Sequence, residues 1–296
     1  ARRQRQMCIR DSPRTLPASV SPVLLGCALA YYDGAFDVVP AVLCLLVALF
    51  AQIASNFAND YFDFKKGADR EDRLGPERAV AEGWITPKAM LTGTFVTLGL
   101  ACAAGLLLVC FADWRLIGVG IAIAICVLAY SAGPFPLAYN GLGDVCVLLF
   151  YGIIPVCFTY YIQTLNFSLL SFLLSVALGL LSVNILIVNN YRDYEQDKAA
   201  RKRTTIVLFG RRAGRVFYVL NECMAFLLVL PLILDAPWWI LFLFGILFAL
   251  CFYTTRELFT LEGRALNRTL GHTARNVFLF ASVLSLLFLY IGGVSN

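Results

Sequence analysis

Two runs of asparagine and aspartate sit where long apolar stretches meet basic loops, and they limit what this chain can become more than any other feature. The first reads Asn56-Phe-Ala-Asn59-Asp60-Tyr-Phe-Asp63-Phe-Lys65-Lys66-Gly-Ala-Asp69. The second reads Asn189-Asn190-Tyr-Arg192-Asp193-Tyr-Glu195-Gln-Asp197 and is followed by Lys202 and Arg203. A helix returns to the same face every three to four residues, so Asn56, Asp60 and Asp63 are expected on one stripe and Asn189, Asp193 and Asp197 on another. Like charges repel at that spacing. Both stripes therefore require something cationic, and a divalent metal bridged to a phosphate group is the economical candidate.

The stretches that carry these runs identify the class of protein. With 60% hydrophobic and 15% charged residues and a mean hydropathy of +0.76, the chain is too apolar for a soluble domain of 296 residues. Crossing the roughly 30 Å hydrocarbon core of a bilayer takes about 20 helical residues. Runs of that kind are read at 17–33, 38–59, 88–111, 114–132, 143–163, 167–190, 213–234, 237–255 and 274–293. The expected fold is an all-α polytopic membrane protein of about nine transmembrane helices.

Basic residues orient that bundle, because cytoplasmic loops collect Lys and Arg. The N-terminus and the segments 60–88, 133–142, 191–213 and 254–273, with the helix ends that border them, hold every Lys and Arg except Arg115. Asp33, Asp37, Asp113 and Asp235 share the opposite side with it. The N-terminus and both acidic runs are thus expected in the cytoplasm and the C-terminus across the membrane. This topology already accounts for the net charge of +5, so no nucleic-acid partner is inferred. Most of the ten cysteines lie singly in apolar runs, where Cys acts as a small hydrophobe, and no disulfide framework is expected. Residues 14–30 imitate a signal segment: Ala28-Leu-Ala30 is like a signal-peptidase site and Leu24-Leu-Gly-Cys27 like a lipoprotein box. The uncut chain gives the cleaner charge map, so this stretch is taken as the first span.

The order span, span, acidic and basic loop occurs twice, a weak internal repeat consistent with two helical halves facing each other. Residues 13–296 read as one domain, and residues 1–12 are given no functional weight. A short charged helix or lid is expected over 66–80, and Gly141-Leu-Gly-Asp144 opens the fifth span with an acid at its cytoplasmic end.

Charges near hydrocarbon cost roughly 2.5–3.5 kcal/mol each on insertion scales and mark function unless they are paired or face water. Asp60, Asp63, Asp193 and Asp197 at the ends of two apolar helices therefore need a cavity and cations. Magnesium takes one or two carboxylates, waters and substrate phosphate oxygens, so two ions between the stripes would clamp a diphosphate. Lys66, Arg73, Arg78, Lys202 and Arg203 lie close enough along the chain to reach phosphate oxygens. Asn56, Asn59, Asn189 and Asn190 are placed to orient ligands or to bind the diphosphate. A neutralised diphosphate is a good leaving group, and its departure from an allylic carbon yields a stabilised cation.

These residues also carry a resemblance. Asn59-Asp60-x-x-Asp63 with a further Asp69, and Asp193-x-x-x-Asp197-x-x-x-x-Lys202-Arg203-Thr204, resemble the two aspartate-rich motifs of the UbiA superfamily of intramembrane prenyltransferases. Pro13-Arg14-Thr-Leu-Pro-Ala-Ser19, Lys66-Gly-x-Asp69, Asp72-Arg73-x-Gly-Pro76, Gly141-Leu-Gly-Asp144 and Asn189-Asn190-Tyr-Arg-Asp193 narrow the resemblance to its 1,4-dihydroxy-2-naphthoate polyprenyltransferase branch. Gly67 stands where the superfamily's usual third aspartate falls, and Asp69 comes two later. The resemblance implies a bundle whose central cavity opens to the cytoplasm of a bacterial inner membrane and sideways to lipid. It implies magnesium held by Asp60, Asp63, Asp193 and Asp197, with Asp69 as a further candidate. It implies a polyprenyl diphosphate and 1,4-dihydroxy-2-naphthoate as substrates, with diphosphate and carbon dioxide released and demethylmenaquinol formed.

Other residues are weighed individually. Tyr139 is a candidate substrate contact and Asp144 a candidate anchor for the aromatic acid or a helix cap. Glu222 is expected to be buried and hydrogen-bonded, and His272 to lie at the surface. Two rival functions stay open: prenylation of another aromatic acceptor such as 4-hydroxybenzoate or homogentisate, and cation-coupled transport, which would place its charges nearer the bilayer midplane.

Overall fold

The computed structural model describes residues 16–67, 74–76 and 78–295. Residues 1–12, Asp69 and Arg73 lie outside these, and with them part of the expected 66–80 lid. Helices α1 (Leu16–Tyr32), α2 (Val38–Lys65), α3 (Pro87–Leu108), α4 (Leu116–Ala129) and α5 (Gly143–Thr164) precede α6 (Leu169–Arg192) and the short α7 (Tyr194–Ala199). They are followed by α8 (Thr205–Leu234), α9 (Trp238–Thr260) and α10 (Leu266–Ser295). Among the described residues there is no strand.

Local chemistry explains where these helices begin. Thr86, Ser168 and Thr204 each stand just before a helix and accept the backbone N–H three residues on, and Pro87 fills the first position of α3, where a missing N–H costs nothing. α8 starts eight residues before the apolar run read from sequence, because a short helical segment, Thr205–Phe209, precedes that run and joins it across a break at Gly210, φ +84.

Seven helices, α2, α3, α5, α6, α8, α9 and α10, are long and apolar enough to cross a membrane. The two remaining runs expected to span form apolar helices of 17 and 14 residues. At about 1.5 Å per residue the shorter of them falls well below the hydrocarbon thickness.

α6 runs through the middle. Its Leu174, Leu178 and Leu181 pack with Leu25 and Leu29 of α1, Val229 of α8, Phe244 and Leu247 of α9 and Phe280 and Leu284 of α10 in one buried cluster. α2, α3 and α4 stand outside that cluster, joined to it through Val23, Cys44, Leu108, Leu116 and Ile162. Polar ties cross the interior as well. Glu222 of α8 accepts from Thr255 Oγ1 at 2.6 Å, so this acid is hydrogen-bonded as expected but half-buried rather than buried, and Asn221 donates to Asn184 Oδ1 at 3.0 Å. The described cysteines are all free.

One close approach fixes α5 against α6. Leu149–Ile153 forms a single π-helical turn within α5, and a Cβ at Gly152 would lie 2.5 Å from Gly179 Cα and 2.6 Å from the Ser175 carbonyl oxygen. Backbone cannot yield as a side chain can. Gly152→Val is expected to cost about 1–3 kcal/mol by overpacking, seen as a lower thermal unfolding midpoint in detergent; an unchanged midpoint would mean that the two helices part without cost.

Candidate active site

α2 continues past its apolar run to Lys65, which carries Asn56, Asp60 and Asp63 onto one helical face as the spacing predicts. The second run is built differently. α6 ends at Arg192 and α7 begins at Tyr194, with Asp193 as the joint at φ −92, ψ 14. Register survives the joint, because Asp193 N–H still donates to the Asn189 carbonyl at 3.1 Å and Asp197 N–H to the Asp193 carbonyl at 2.8 Å. Asn189, Asp193 and Asp197 therefore keep a common side.

The acid-bearing ends of α2 and α6 meet over one cavity of about 970 Å³. Asn56, Asn59, Asp60 and Asp63 line it from α2, Asn189, Asn190, Asp193 and Asp197 from the other side, and Arg78, Tyr139, Asp144 and Lys202 from the connections and the start of α5. Deeper, its wall turns apolar through Val47, Leu108, Leu116, Ile123 and Phe158. The combination of a polar mouth and a long apolar interior suits an amphiphile with a charged head.

Each acid is held by a named device. Among the described residues, 74–76 and 78–86 form turns rather than a helix, as Gly75 and Pro76 favour. Ala79 and Val80 pack with Met90 and beside Phe57, Tyr61 and Trp84. That pins the turn against α2, so Ala79 N–H donates to Asp60 Oδ2 at 3.1 Å and Arg78 to Asp63 Oδ2 at 3.0 Å. Tyr139, on a 3-10 turn at Leu137–Tyr139, donates its hydroxyl to Asp63 Oδ1 at 2.8 Å.

The reversal after α7 delivers a further cation. Arg201 takes φ +57, and the Lys202 N–H returns to the Asp197 carbonyl at 2.8 Å. The Lys202 ammonium then lies 3.6 Å from Asp63 Oδ2 and 3.7 Å from Asp197 Oδ1. One cation thus bridges acids from both runs. It also lies 4.7 Å from the centre of the Tyr139 ring, with the Lys66 ammonium 4.2 Å from the same ring. Burial pushes the Asp197 carboxyl up to about 6, offset by Lys202 and reinforced by Asp193 and Asp63. Lys66 is lowered, first by desolvation, with Asp63 opposing and Lys202 adding to the shift.

Other expected residues sit differently. Lys66 stands behind Tyr139 rather than on the cavity wall and donates to the Ser131 carbonyl at 2.6 Å. The Arg203 side chain is exposed; its contribution is a backbone N–H to the Tyr139 carbonyl at 2.9 Å. Asn59 accepts from the Ser131 hydroxyl, and Asn56 accepts from Gln52 Nε2 at 3.3 Å. Asp144 lines the cavity from the first turn of α5. His272 pairs with Glu257, Nδ1 to Oε2 at 2.8 Å, away from the cavity wall.

Arg192 was not among the expected site residues, yet it organises the second run. It is 1% exposed. Its Nε and one terminal nitrogen grip Asp193 at 2.7 and 2.6 Å, the same nitrogen reaches Asn189 Oδ1 at 2.8 Å, and the other reaches Asn267 Oδ1 at 2.7 Å. Asn267 in turn donates to the Leu74 carbonyl at 2.9 Å, tying α10 to the loop that follows α2. Its position between Asn189 and Asp193 in the sequence was the available clue.

The donor set fits divalent magnesium. Among the described residues no three of His, Cys, Asp and Glu form a metal-binding group; the fit rests on the carboxylate oxygens of Asp60, Asp63, Asp193 and Asp197 facing one cavity, the hard donors that magnesium takes beside water and phosphate oxygens. The Lys202 ammonium between Asp63 and Asp197 marks a place where the fold already favours positive charge.

Comparison with known proteins adds a family to this geometry. The pattern of the UbiA prenyltransferase family matches residues 19–280. The chain is 37% identical over 214 residues to 1,4-dihydroxy-2-naphthoate octaprenyltransferase of Haemophilus influenzae, covering 70% of each chain. It is likewise 37% identical over 229 residues to the enzyme of that name from Mycobacterium tuberculosis, covering 76% of this chain and 77% of the other. A solved UbiA homologue from Archaeoglobus fulgidus, bound to DMAPP and Mg2+, superposes with a TM-score of 0.62 at 18% identity, covering 93% of this chain and 99% of that one. That likeness concerns the fold.

Proposed function

The chain belongs to the UbiA prenyltransferase family, and from that premise we propose that it transfers a polyprenyl group from an allylic diphosphate to 1,4-dihydroxy-2-naphthoate, with loss of diphosphate and carbon dioxide. The observation that carries the proposal is the bridging of Asp63 and Asp197 by Lys202 at the polar mouth of a cavity whose depth is apolar. The names of the relatives support the choice of acceptor.

Asp60, Asp63, Asp193 and Asp197 would hold magnesium, which when bound neutralises the diphosphate and makes it a better leaving group. Arg78 and Lys202 are placed to turn from the acids to phosphate oxygens as these arrive. Asn189 and Asn190 line the same mouth and offer amide donors to the diphosphate. The apolar wall from Val47 to Phe158 takes the isoprenoid tail and keeps water from the allylic cation. In the transfer, the bond between the prenyl carbon and the diphosphate oxygen breaks with its electrons leaving on oxygen. The ring carbon bearing the carboxylate then bonds to the prenyl carbon, and the carboxylate departs as carbon dioxide, returning its electron pair to the ring. No external base is required for that balance.

In this reading the mouth faces the cytoplasm, which the Lys- and Arg-rich composition of the loops around it supports. The acids stand at helix ends rather than at mid-depth, which separates the proposal from cation-coupled transport. Purified protein given 1,4-dihydroxy-2-naphthoate, an allylic polyprenyl diphosphate and magnesium is expected to yield prenylated naphthoquinol, identified by mass, with turnover lost on chelation. Product only with 4-hydroxybenzoate or homogentisate would reassign the acceptor, and no product with any of the three would overturn prenyl transfer.

A further inference from the structure

We infer that Tyr151, backed by Gln52, binds the ring hydroxyl of the aromatic acceptor. The inference rests on the aromatic-acceptor function proposed above and assigns its subsite. Tyr151 lies in the π-helical turn Leu149–Ile153, where the chain holds an extra residue per turn and Gly152 is pressed on Gly179. Turns of this kind recur at functional sites because they redirect one side chain without ending the helix. Here Tyr151 lines the cavity opposite α2, and its hydroxyl donates to Gln52 Oε1. Gln52 is 6% exposed and itself donates to Asn56 Oδ1 at 3.3 Å.

Asn56 and Gln52 descend α2 one helical turn at a time from Asp60, at about 1.5 Å per residue, and Tyr151 meets Gln52 from α5. It forms a polar collar between the diphosphate-binding mouth and the apolar depth, which is the level at which the allylic carbon and the attacking ring must meet. Because its proton is committed to Gln52, the Tyr151 oxygen presents lone pairs to the cavity and is matched to a ligand O–H. Donation along the chain strengthens that acceptor. A ring hydroxyl that donates a hydrogen bond to this oxygen, keeping its proton, carries more electron density on its own oxygen and pushes it toward the neighbouring ring carbon, the one that attacks. A plain interhelical tie between α2 and α5 would need the hydrogen bond but no contact with acceptor.

Tyr151→Phe keeps the ring and its packing and removes only the oxygen. The expected result is a rise of about 10-fold or more in the acceptor KM, the range for a lost partner of a buried polar group, with the Kd for prenyl diphosphate and magnesium unchanged by titration calorimetry. Gln52→Leu is expected to raise the acceptor KM in the same direction, and the double variant to be no worse than the worse single one. Wild-type protein should prefer the free hydroxyl over its methyl ether, and Tyr151→Phe should lose that preference. Equal acceptor KM in wild type and Tyr151→Phe, or an equal loss of diphosphate affinity, overturns the role of Tyr151 alone. A wild-type protein that binds the diphosphate yet never turns over a hydroxylated aromatic overturns the acceptor function and this assignment together.

Discussion

Asparagine in place of Asp63 is expected to lower turnover by on the order of 10²–10³-fold, the scale for removing one preorganised electrostatic partner of a transition state, while the bundle stays folded. Asp63 is where the site's charges converge: Arg78 at 3.0 Å, Lys202 at 3.6 Å and the Tyr139 hydroxyl at 2.8 Å all reach its carboxylate. Asparagine preserves the shape and one acceptor for Tyr139 but gives up the negative charge, so the place next to Lys202 no longer favours a divalent ion. Stability is expected to change little. Losing the pairs with Arg78 and Lys202, which keep 21% and 18% side-chain exposure, is offset by less repulsion of Asp197, whose carboxyl Asp63 helps to raise. Two measurements separate the outcomes: magnesium-dependent release of diphosphate, and the thermal unfolding midpoint in detergent. Wild-type turnover from a folded Asp63→Asn protein would remove the acid-clamped diphosphate from the mechanism.

Much of this site was legible before any coordinates. Asp60, Asp63 and the four asparagines sit on long, strongly periodic helices, where a period of 3.6 residues sets which of them share a face, while Asp193 and Asp197 keep that register only because backbone bonds span the joint after α6. Arg78, Tyr139 and Lys202 were legible as candidates because short connections tether them to those helices. What the chain did not disclose was direction within the connections. Lys202 turns inward and Arg203 outward because Arg201 adopts φ +57, a conformation that arginine rarely takes and that no pattern announces. Lys66 was expected on the phosphate, yet it stands behind Tyr139 on the Ser131 carbonyl. The π-helical turn that redirects Tyr151 leaves no periodic trace in an all-apolar run. The same limit applied to the spans: composition marks apolar runs well, but the length of the helix at Leu116–Ala129 depends on packing rather than on hydropathy.

Arg192→Met is expected to be the most damaging single change outside the acids, costing about 3 kcal/mol, the lower end for breaking a buried pair, because it removes an enclosed guanidinium and leaves the half-buried Asp193 carboxylate without its partner. The guanidinium is enclosed and makes four bonds from its donor fork: Asp193 by two, Asn189 by one and Asn267 by one. It thereby neutralises one of the four acids from inside the protein and sets the direction of Asn189. Through Asn267 and the Leu74 carbonyl it also fixes the loop that follows the first acidic run. Lysine cannot reproduce this arrangement, since an ammonium lacks the planar fork, so Arg192→Lys should recover only part of the loss. A double-mutant cycle distinguishes the ion pair from simple packing. Arg192→Met with Asp193→Leu removes both charges together, and its unfolding midpoint should lie well above that of Arg192→Met alone, although activity stays lost with the acid. If the double variant unfolds at the sum of the two single losses, the fork contributes no coupling, and the joint between α6 and α7 must instead be held by its backbone bonds.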